Sequence, residues 1–324
     1  MKHVFVIHSN TVLLSALGAI EYEKIPQDKI IFLYGRNFKS SIVTDNIKTI
    51  DVSLMYKIGF ESGFSRSKKN QHSLLEKVDK LINDNVADFY TVYVPHTGIP
   101  FFQALATNFR CSEICLLQEG AYSFFKKVLT NPIKVKILNV LFSNDRLWWQ
   151  VNWSIPNFKS EKVKVSKTYS LDTSLFESLQ DANNIRISWP KMNAKPNEIE
   201  DGAQVYLFES AVELGYIEHD VYMEGCKKLI NDTARTKCFI KFHPNQSESN
   251  KNEILNMFSH YEVTELTDSI PFEIVMSSVR DLQLYGFSTS LLKFGKDLGH
   301  KVTSYSEYLC NHSLRFKKYY ETFH

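Results

Sequence analysis

Short apolar runs alternate with amphipathic stretches along most of this sequence, and that alternation restricts the fold more than any other feature. The runs at 4–8, 29–34, 89–94 and 114–117 have the length and composition of buried strands. Between them, apolar residues recur at helical spacing, as in 74–82. An alternation of strands and helices predicts an α/β fold in which a parallel sheet is wound with helices.

The alternation occurs twice, which indicates two domains. A polar stretch at 191–202, with Pro196 and few apolar residues, separates the two series, and 324 residues exceed the size at which one core usually splits. We expect two doubly wound, Rossmann-like domains at 1–190 and 200–305 that face a central cleft, with a tail at 306–324 packing back on the first domain. Ligands of such sheets bind outside the carboxyl ends of the strands, so the cleft is the predicted site.

The overall composition excludes several classes of protein. The formal charge is only +2, so no global basic field points to nucleic acid. The cysteines match no zinc spacing, and we expect small core thiols in a reducing cytosol. The first residues lack a signal-peptide pattern, and no apolar stretch reaches the ~18 residues that span a bilayer.

Polar residues that follow predicted strands are the candidates for chemistry. After the run at 114–117 come Gln118, Glu119 and Gly120. We expect burial at a strand end to raise the pKa of Glu119 and to suit it for general-base work, while Gly120 allows a sharp turn. Because many strands end in Glu-Gly at an ordinary turn, this segment alone identifies nothing.

A second segment places an imidazole after a strand. In 239–244, strand alternation puts Lys241 and His243 on one face, and Pro244 then ends the ladder. An imidazole held there can donate a hydrogen bond to a phosphate oxygen, although a lone histidine is more often structural.

Two further segments open predicted helices. Glu273 lies in a first helical turn after Pro271, where the helix dipole favours an acid, and it is also a candidate acceptor for the hydroxyls of a ribose. Ser288, Thr289 and Ser290 follow a strand that passes through glycine. Backbone N–H groups and hydroxyls at a helix start bind anions, and the same residues serve as ordinary helix caps.

Several familiar signatures are missing. The sequence has no Walker lysine loop and no GxGxxG, GxSxG or HExxH motif. No acidic pair typical of a metal-bound nucleotide-sugar site follows a predicted strand. We therefore expect neither a metal nor a cofactor.

Taken in order, these segments resemble the bacterial sialyltransferases and polysialyltransferases of the glycosyltransferase-B (GT-B) fold. That group carries an acidic-acidic-glycine motif, then His-Pro after a strand, a nucleotide-binding glutamate and a serine/threonine pair. The matching positions here are Glu119 with Gly120, His243 with Pro244, Glu273, and Ser288 with Thr289 and Ser290. The resemblance spans 112–295. Gln118 departs from the pattern, since the group often has a second acid there, which leaves Glu119 as the only candidate base.

The resemblance implies an inverting, metal-independent transfer of sialic acid from CMP-sialic acid to a glycan hydroxyl. The N-terminal domain would bind the acceptor and carry the base Glu119, and the C-terminal domain would bind the CMP-sugar. His243 would hydrogen-bond or protonate the departing phosphate. The implied donor-binding residues are Gly120, Lys241, Pro244, Glu273, Ser288, Thr289 and Ser290, with His8, Ser9 and Asn10 as further candidates after the first strand. The implied acceptors are galactose-terminated glycans of a surface polysaccharide, O-antigen, lipooligosaccharide or capsule.

The stretch 123–168 combines basic and aromatic residues. It holds nine basic residues against two acidic ones, together with Trp148, Trp149 and Trp153. It is either a solvated helix pair with its tryptophans in the core or, with the basic tail at 315–318, a surface that contacts anionic lipid or a lipid-linked glycan. We expect a cytoplasmic protein, peripheral at the inner face of the cytoplasmic membrane in the second case.

Two other functions stay open at this stage. The CMP-facing residues do not separate sialic acid from Kdo or a related sugar, because both donors are CMP-linked keto-acids. A non-catalytic nucleotide- or glycan-binding module is the alternative from another class, although an acid at 119 and an imidazole at 243 favour an enzyme.

Overall fold

A computed structural model describes the chain except for residues 40–45, 62–67, 121–131, 143, 149–163, 178, 180, 191–198, 267–270 and 324. By their contacts, the residues divide into two units, Met1–Pro190 and Lys191–His324. Each unit is built on a wholly parallel sheet, so the predicted α/β class is confirmed. The central cleft stays a prediction.

The first unit contains a seven-stranded sheet in the order β3-β2-β1-β4-β5-β6-β7. Its strands are Lys2–Ile7 (β1), Ile30–Tyr34 (β2), Lys48–Asp51 (β3), Tyr90–Val94 (β4), Cys111–Leu117 (β5), Val165–Ser170 (β6) and Asn183–Arg186 (β7). The chain moves outward from β1 to β3 and then resumes on the other side of β1 with β4. Such a reversal is a topological switch point, where loops diverge at the carboxyl edge of the sheet and leave a crevice.

The described helices of the first unit are Asn10–Glu23 (α1), Ser53–Glu61 (α2), Lys68–Asn85 (α3), Pro100–Ala106 (α4) and Pro132–Phe142 (α5). A core of buried side chains joins the sheet to these helices, with Val4, Val92 and Leu105 fully buried. Ser9 caps α1, because it has extended backbone and its hydroxyl accepts the N–H of Val12.

The second unit contains a five-stranded sheet in the order β10-β9-β8-β11-β12. Its strands are Gln204–Phe208 (β8), Lys237–Phe242 (β9), Glu262–Glu265 (β10), Gln283–Gly286 (β11) and Lys301–Ser304 (β12). Its described helices are His219–Thr233 (α6), Glu248–Met257 (α7), Phe272–Ser278 (α8), Ser290–Asp297 (α9), Ser306–His312 (α10) and Leu314–Phe323 (α11). The switch point of this sheet lies between β8 and β11.

The tail forms α10 and α11 and packs within the second unit. Leu309 and Phe316 are fully buried in the same core as Tyr222 of α6. Ser313, between the two helices, donates a hydrogen bond to Glu218 at 2.6 Å. These contacts tie the tail to the second unit, and its packing on the first unit stays a prediction.

Candidate functional site

The first unit gathers an acid and two imidazoles at the switch point of its sheet. His8 directly follows β1, His96 comes after β4 and Glu119 after β5, and these strands are neighbours. His8 Nε2 lies 2.7 Å from Glu119 Oε1, and His96 Nε2 lies 3.6 Å from Glu119 Oε2. We call these three residues the Glu119 cluster.

The imidazoles of the Glu119 cluster are buried behind the carboxylate. The exposed fractions of the His8 and His96 side chains are 0% and 3%, against 17% for Glu119. The His8 ring stacks on Phe102, with centroids 6.2 Å apart, and meets Tyr56 edge-on. Glu119 is therefore the member of the cluster that a substrate can reach.

The neighbours of Glu119 keep it ionised. Burial alone raises its pKa, but the hydrogen bond from His8 and the charges of His96, His8 and Arg36 outweigh burial and lower the pKa to about 2. The expectation of a raised pKa was wrong, because it considered burial without these partners. Burial lowers the pKa of His96 to about 4 despite the nearby Glu119 charge. His96 is therefore neutral at pH 7 and carries its charge only in the acid range where Glu119 itself titrates.

Gln118 and Gly120, on either side of Glu119, stabilise the turn that follows β5. The amide of Gln118 donates to the Gly120 carbonyl at 3.1 Å and accepts the N–H of Leu171 at 2.8 Å. An ionised acid at 118 would lack the donor for the first of these bonds. The Gln118 amide therefore closes the turn and joins β5 to the end of β6.

The turn after β1 contains the other two candidates of the first unit. Ser9 serves as the cap of α1. Asn10 is the first residue of that helix, and its side-chain oxygen is buried without a partner among the described residues. Donor binding by these residues stays a prediction.

The second unit places a different set of side chains at its own switch point. Glu209 and Ser210 follow β8, His243 follows β9, and Ser288 comes after β11. Because β9, β8 and β11 are neighbours, these residues lie together at the carboxyl edge of the sheet.

His243 is exposed and anchored through one ring nitrogen. Its Nδ1 accepts the backbone N–H of Asn245 at 3.1 Å and lies 3.1 Å from the Ser210 hydroxyl oxygen. An Nδ1 that accepts a backbone N–H carries no proton in the neutral ring, so the proton is on Nε2. This tautomer suits the predicted role of His243 as a donor to phosphate.

Ser288 faces a carboxylate that sequence reasoning missed. Its N–H donates to Glu209 Oε2 at 3.0 Å and its hydroxyl to Glu209 Oε1 at 2.8 Å. Burial raises the pKa of Glu209 to about 7, because it outweighs these two bonds. The donors of Ser288 are therefore engaged by Glu209, whereas the sequence analysis expected them to hold a phosphate.

The other two hydroxyls at this helix start differ in their surroundings. Thr289 caps α9, and its hydroxyl oxygen accepts the N–H of Leu291 at 3.4 Å. Ser290 is the first residue of α9 and is exposed. The exposed part of the predicted phosphate site is thus Ser290 and the amino end of its helix.

Lys241 and Glu273 interact electrostatically in the second unit. Lys241 is buried in β9, and its ammonium group donates to the Leu266 carbonyl at 3.4 Å. Glu273 lies in the first turn of α8, where burial raises its pKa and the charge of Lys241 lowers it. Pro244 is exposed beside His243.

Two of the residues grouped at the switch points were not predicted. His96 and Glu209 both follow buried strands closely, which is the signal that identified Glu119 and His243. Applying that rule to every predicted strand would have found them. Among the described residues, no group of three or more His, Cys, Asp and Glu side chains is arranged to hold a metal ion.

Residues 144–148 of the basic stretch pack against the first unit. Trp148 is buried, and Arg146 forms a two-pronged ion pair with Asp79 at 2.7 and 2.8 Å. Trp149 and Trp153 lie outside the described residues, so contact of this stretch with a membrane stays a prediction. Within the part of the chain that the structure covers, no helix has the length and apolarity to cross a bilayer.

Comparisons with known proteins give distant structural likenesses only. No family model matches the chain, and no curated protein does. The structure of a UDP-GlcNAc 2-epimerase from Methanocaldococcus jannaschii is 13% identical with a TM-score of 0.49, over 93% of this chain and 83% of that one. MnaA of S. aureus with UDP is 11% identical with a TM-score of 0.49, over 94% and 79%. MurG of Acinetobacter baumannii is 9% identical with a TM-score of 0.44, over 100% and 91%. At these TM-scores the likenesses carry no argument about function.

Proposed function

We propose that the protein is a glycosyltransferase that moves a sugar from a nucleotide-activated donor to a hydroxyl of a glycan acceptor. The observation that carries this proposal is Glu119, an ionised carboxylate held by two imidazoles at the switch point of the first sheet. A fixed and accessible carboxylate can accept the proton of an attacking hydroxyl. His243 supplies the complementary group, an exposed imidazole whose Nε2–H can donate a hydrogen bond to a departing phosphate.

The specific donor that we propose is CMP-sialic acid, with a galactose-terminated surface glycan as the acceptor. The resemblance of the ordered segments to bacterial sialyltransferases supports this choice. A Kdo-type transferase is the runner-up, because its donor is also a CMP-linked keto-acid.

The chemistry is a single displacement with inversion. The acceptor oxygen forms a bond to the anomeric carbon while the bond from that carbon to the phosphate oxygen breaks, and the electron pair leaves with CMP. The acceptor proton passes to Glu119. Since the transition state is oxocarbenium-like, the hydroxyl becomes strongly acidic as the new bond forms, and a carboxylate with a pKa of about 2 can take its proton at that point.

The second unit provides the groups that meet the donor. The Nε2–H of His243 and the exposed amino end of α9 at Ser290 would meet the charge of the leaving phosphate. Glu273 would accept hydrogen bonds from the ribose hydroxyls. These roles need no resident metal, because protein N–H groups take over charge stabilisation.

A donor panel tests the proposal. Purified protein is incubated with galactose-terminated acceptors and, separately, CMP-sialic acid, CMP-Kdo or UDP-GlcNAc, and glycan product and free nucleotide are measured. We expect transfer from CMP-sialic acid alone. Transfer from CMP-Kdo alone would establish the runner-up, and transfer from UDP-GlcNAc would exclude a CMP-dependent enzyme.

The substitution Glu119→Gln tests the base assignment. The amide keeps the shape of the side chain but takes no proton, so we expect kcat to fall by ~10²–10⁴-fold while CMP binding persists. Glu113→Gln is the matched control, because Glu113 lies on the same strand and contacts Thr91. A normal rate for E119Q would refute the assignment, and CMP binding without turnover of any donor by the wild type would favour a binding module.

A further inference from the structure

The hydrogen-bonding pattern of the Glu119 cluster determines where its protons lie. The Nδ1 of His96 accepts the backbone N–H of Gly98 at 3.1 Å. Because that nitrogen is an acceptor, the ring proton of the neutral His96 is on Nε2, the atom that lies 3.6 Å from Glu119 Oε2. His96 thus directs an N–H at one carboxylate oxygen.

His8 directs an N–H at the other oxygen. Its Nδ1 is buried and has no partner among the described residues. A proton there would be a buried donor without an acceptor, which is costlier than a proton on Nε2, where Glu119 Oε1 accepts it at 2.7 Å. His8 therefore donates a hydrogen bond to Oε1, and the Nε2–H of His96 faces Oε2 from 3.6 Å.

We propose that His8 and His96 are positioning residues, whose paired Nε2–H groups fix the plane of the Glu119 carboxylate and keep it ionised. His8 uses one lone pair of Oε1 and His96 faces Oε2 from 3.6 Å, so lone pairs on both oxygens are left for the hydroxyl of a substrate on the exposed side. The catalytic part of this inference rests on the proposed function, because it takes Glu119 as the base. The electrostatic part does not depend on any substrate.

The other groups around Glu119 have smaller effects. Arg36, after β2, lies over the ring of Tyr56 in α2, with 5.2 Å from its guanidinium carbon to the ring centroid. The charge of Arg36 also lowers the pKa of Glu119. This effect is smaller than that of the hydrogen bond from His8 and than those of the two imidazoles when they are protonated. Without those imidazoles, burial would dominate and raise the pKa of Glu119.

Paired substitutions separate positioning from mere packing. His8→Leu and His96→Leu remove the N–H donors, whereas His8→Gln and His96→Gln keep a donor on a side chain of similar reach. His3→Leu is the matched control, because His3 is on β1 but contacts Tyr93 and not Glu119. Unfolding curves identify any variant that fails to fold, and the glutamine variants then carry the test.

Two measurements are made on each variant. The first is the ionisation of Glu119 by NMR of protein with ¹³C-labelled glutamate side chains, assigned with Glu119→Gln. The second is kcat for the donor found by the panel, between about pH 5 and pH 8. We expect the pKa of Glu119 to rise by at least ~1 unit in both leucine variants, and more for His8→Leu, because His8 lies within hydrogen-bond distance of the carboxylate and His96 does not.

The rate profile should change in parallel. The wild type and His3→Leu should show no acidic limb from Glu119 between about pH 5 and pH 8. Each leucine variant should lose kcat at the acid end only as far as its measured Glu119 pKa enters that range, and the glutamine variants should restore the wild-type profile. An unchanged Glu119 pKa in both leucine variants overturns the inference, as does a uniform loss of kcat that glutamine does not rescue. A shifted pKa in a protein that turns over no donor supports the electrostatic role and refutes the proposed function, so the two failures are distinguishable.

Discussion

Glu119 and Glu209 are both strand-end carboxylates with little exposure, yet their neighbours move their pKa values in opposite directions. Glu119 accepts a hydrogen bond from His8 and has the His96 imidazole nearby, and its pKa falls to about 2. Among the described residues, hydrogen bonds from Ser288 alone offset the burial of Glu209, and its pKa rises to about 7. The two acids therefore make opposite contributions to the pH dependence of stability.

The ionised form of Glu119 should stabilise the fold. Its pKa falls from an ordinary 4.5 to about 2 on folding, so the stabilisation is complete above about pH 4.5 and is lost as the pH falls toward 2. We expect Glu119→Gln to lower the free energy of unfolding at pH 7 by at most roughly 3 kcal/mol, with a smaller effect below about pH 4. Urea unfolding across this range, with Glu113→Gln as the control, measures it. A deficit that grows on acidification would contradict this account.

The ionised form of Glu209 should destabilise the fold, opposite to that of Glu119. Because its pKa is raised from 4.5 to about 7 in the folded state, its contribution is most favourable below about pH 4.5 and is lost as the pH rises through 7. Glu209→Gln keeps one acceptor for Ser288 and carries no charge, so we expect it to be more stable than the wild type by ~1–3 kcal/mol at about pH 8, and less so at about pH 5. Thermal unfolding at the two pH values tests this, with the exposed Glu224→Gln as the control. A variant that is less stable than the wild type at the higher pH would show that the carboxylate is not destabilised by burial.

Sequence reasoning located strand-end residues but not their partners. Glu119 and His243 were identified because each follows a recognisable strand. His8 and Glu119, however, are 111 residues apart in the sequence, and only the order of the strands brings them together. The burial of Glu119 was predictable from the sequence, but its hydrogen bond from His8 was not. The direction of its pKa shift could therefore be predicted only once the order of the strands was known.

At the scale of elements, the close approach of β8 and β11 sets the contact between Glu209 and Ser288. Gly286 ends β11, and a Cβ on it would lie 2.7 Å from the Leu207 carbonyl oxygen of β8. Real side chains do not come so near to backbone, so glycine is required here for steric reasons. The strand spacing directly below the predicted phosphate site thus depends on this residue.

Gly286→Ala should therefore disturb both stability and nucleotide binding. The added methyl forces β8 and β11 apart, which we expect to cost ~1–3 kcal/mol and to weaken CMP binding measured by calorimetry. Gly18→Ala is the control, because its Cβ would lie 2.6 Å from the Ser188 carbonyl oxygen in the first unit. That variant should lose stability and keep its affinity for CMP. Equal loss of affinity in both variants would mean that the effect is one of global stability.

β6 is an element that the sequence analysis missed, and two of its buried residues are polar. β6 has the sequence VSKTYS, yet Thr168 and Ser170 are fully buried. The hydroxyl of Thr168 donates to the side chain of Asn184 on β7 at 2.8 Å. A hydrogen-bonded pair of this kind makes polar residues acceptable in a core, and hydrophobic pattern does not reveal it.

At the scale of the whole molecule, the alternation of strands and helices predicted two parallel sheets but not the order of their strands. In each unit the chain starts in the interior of the sheet and reverses after its third strand. That order makes β1 and β4 neighbours, and likewise β8 and β11, and so it decides which strand-end side chains meet. Individual strand-end residues could be identified from the sequence, but which of them lie together depends on the order of the strands in the sheet.

In the proposed enzyme, protein N–H groups stabilise the negative charge of the leaving phosphate. If the Nε2–H of His243 and the amino end of α9 stabilise the departing phosphate, transfer should proceed at an unchanged rate in excess EDTA. His243→Ala should then lower kcat by ~10²-fold or more, and added Mg²⁺ should not restore it. Ser210→Ala, which removes only a neighbour of Nδ1, is the control and should have a smaller effect. A rate that EDTA abolishes and Mg²⁺ restores would show that a cation, and not the imidazole, carries the leaving-group charge.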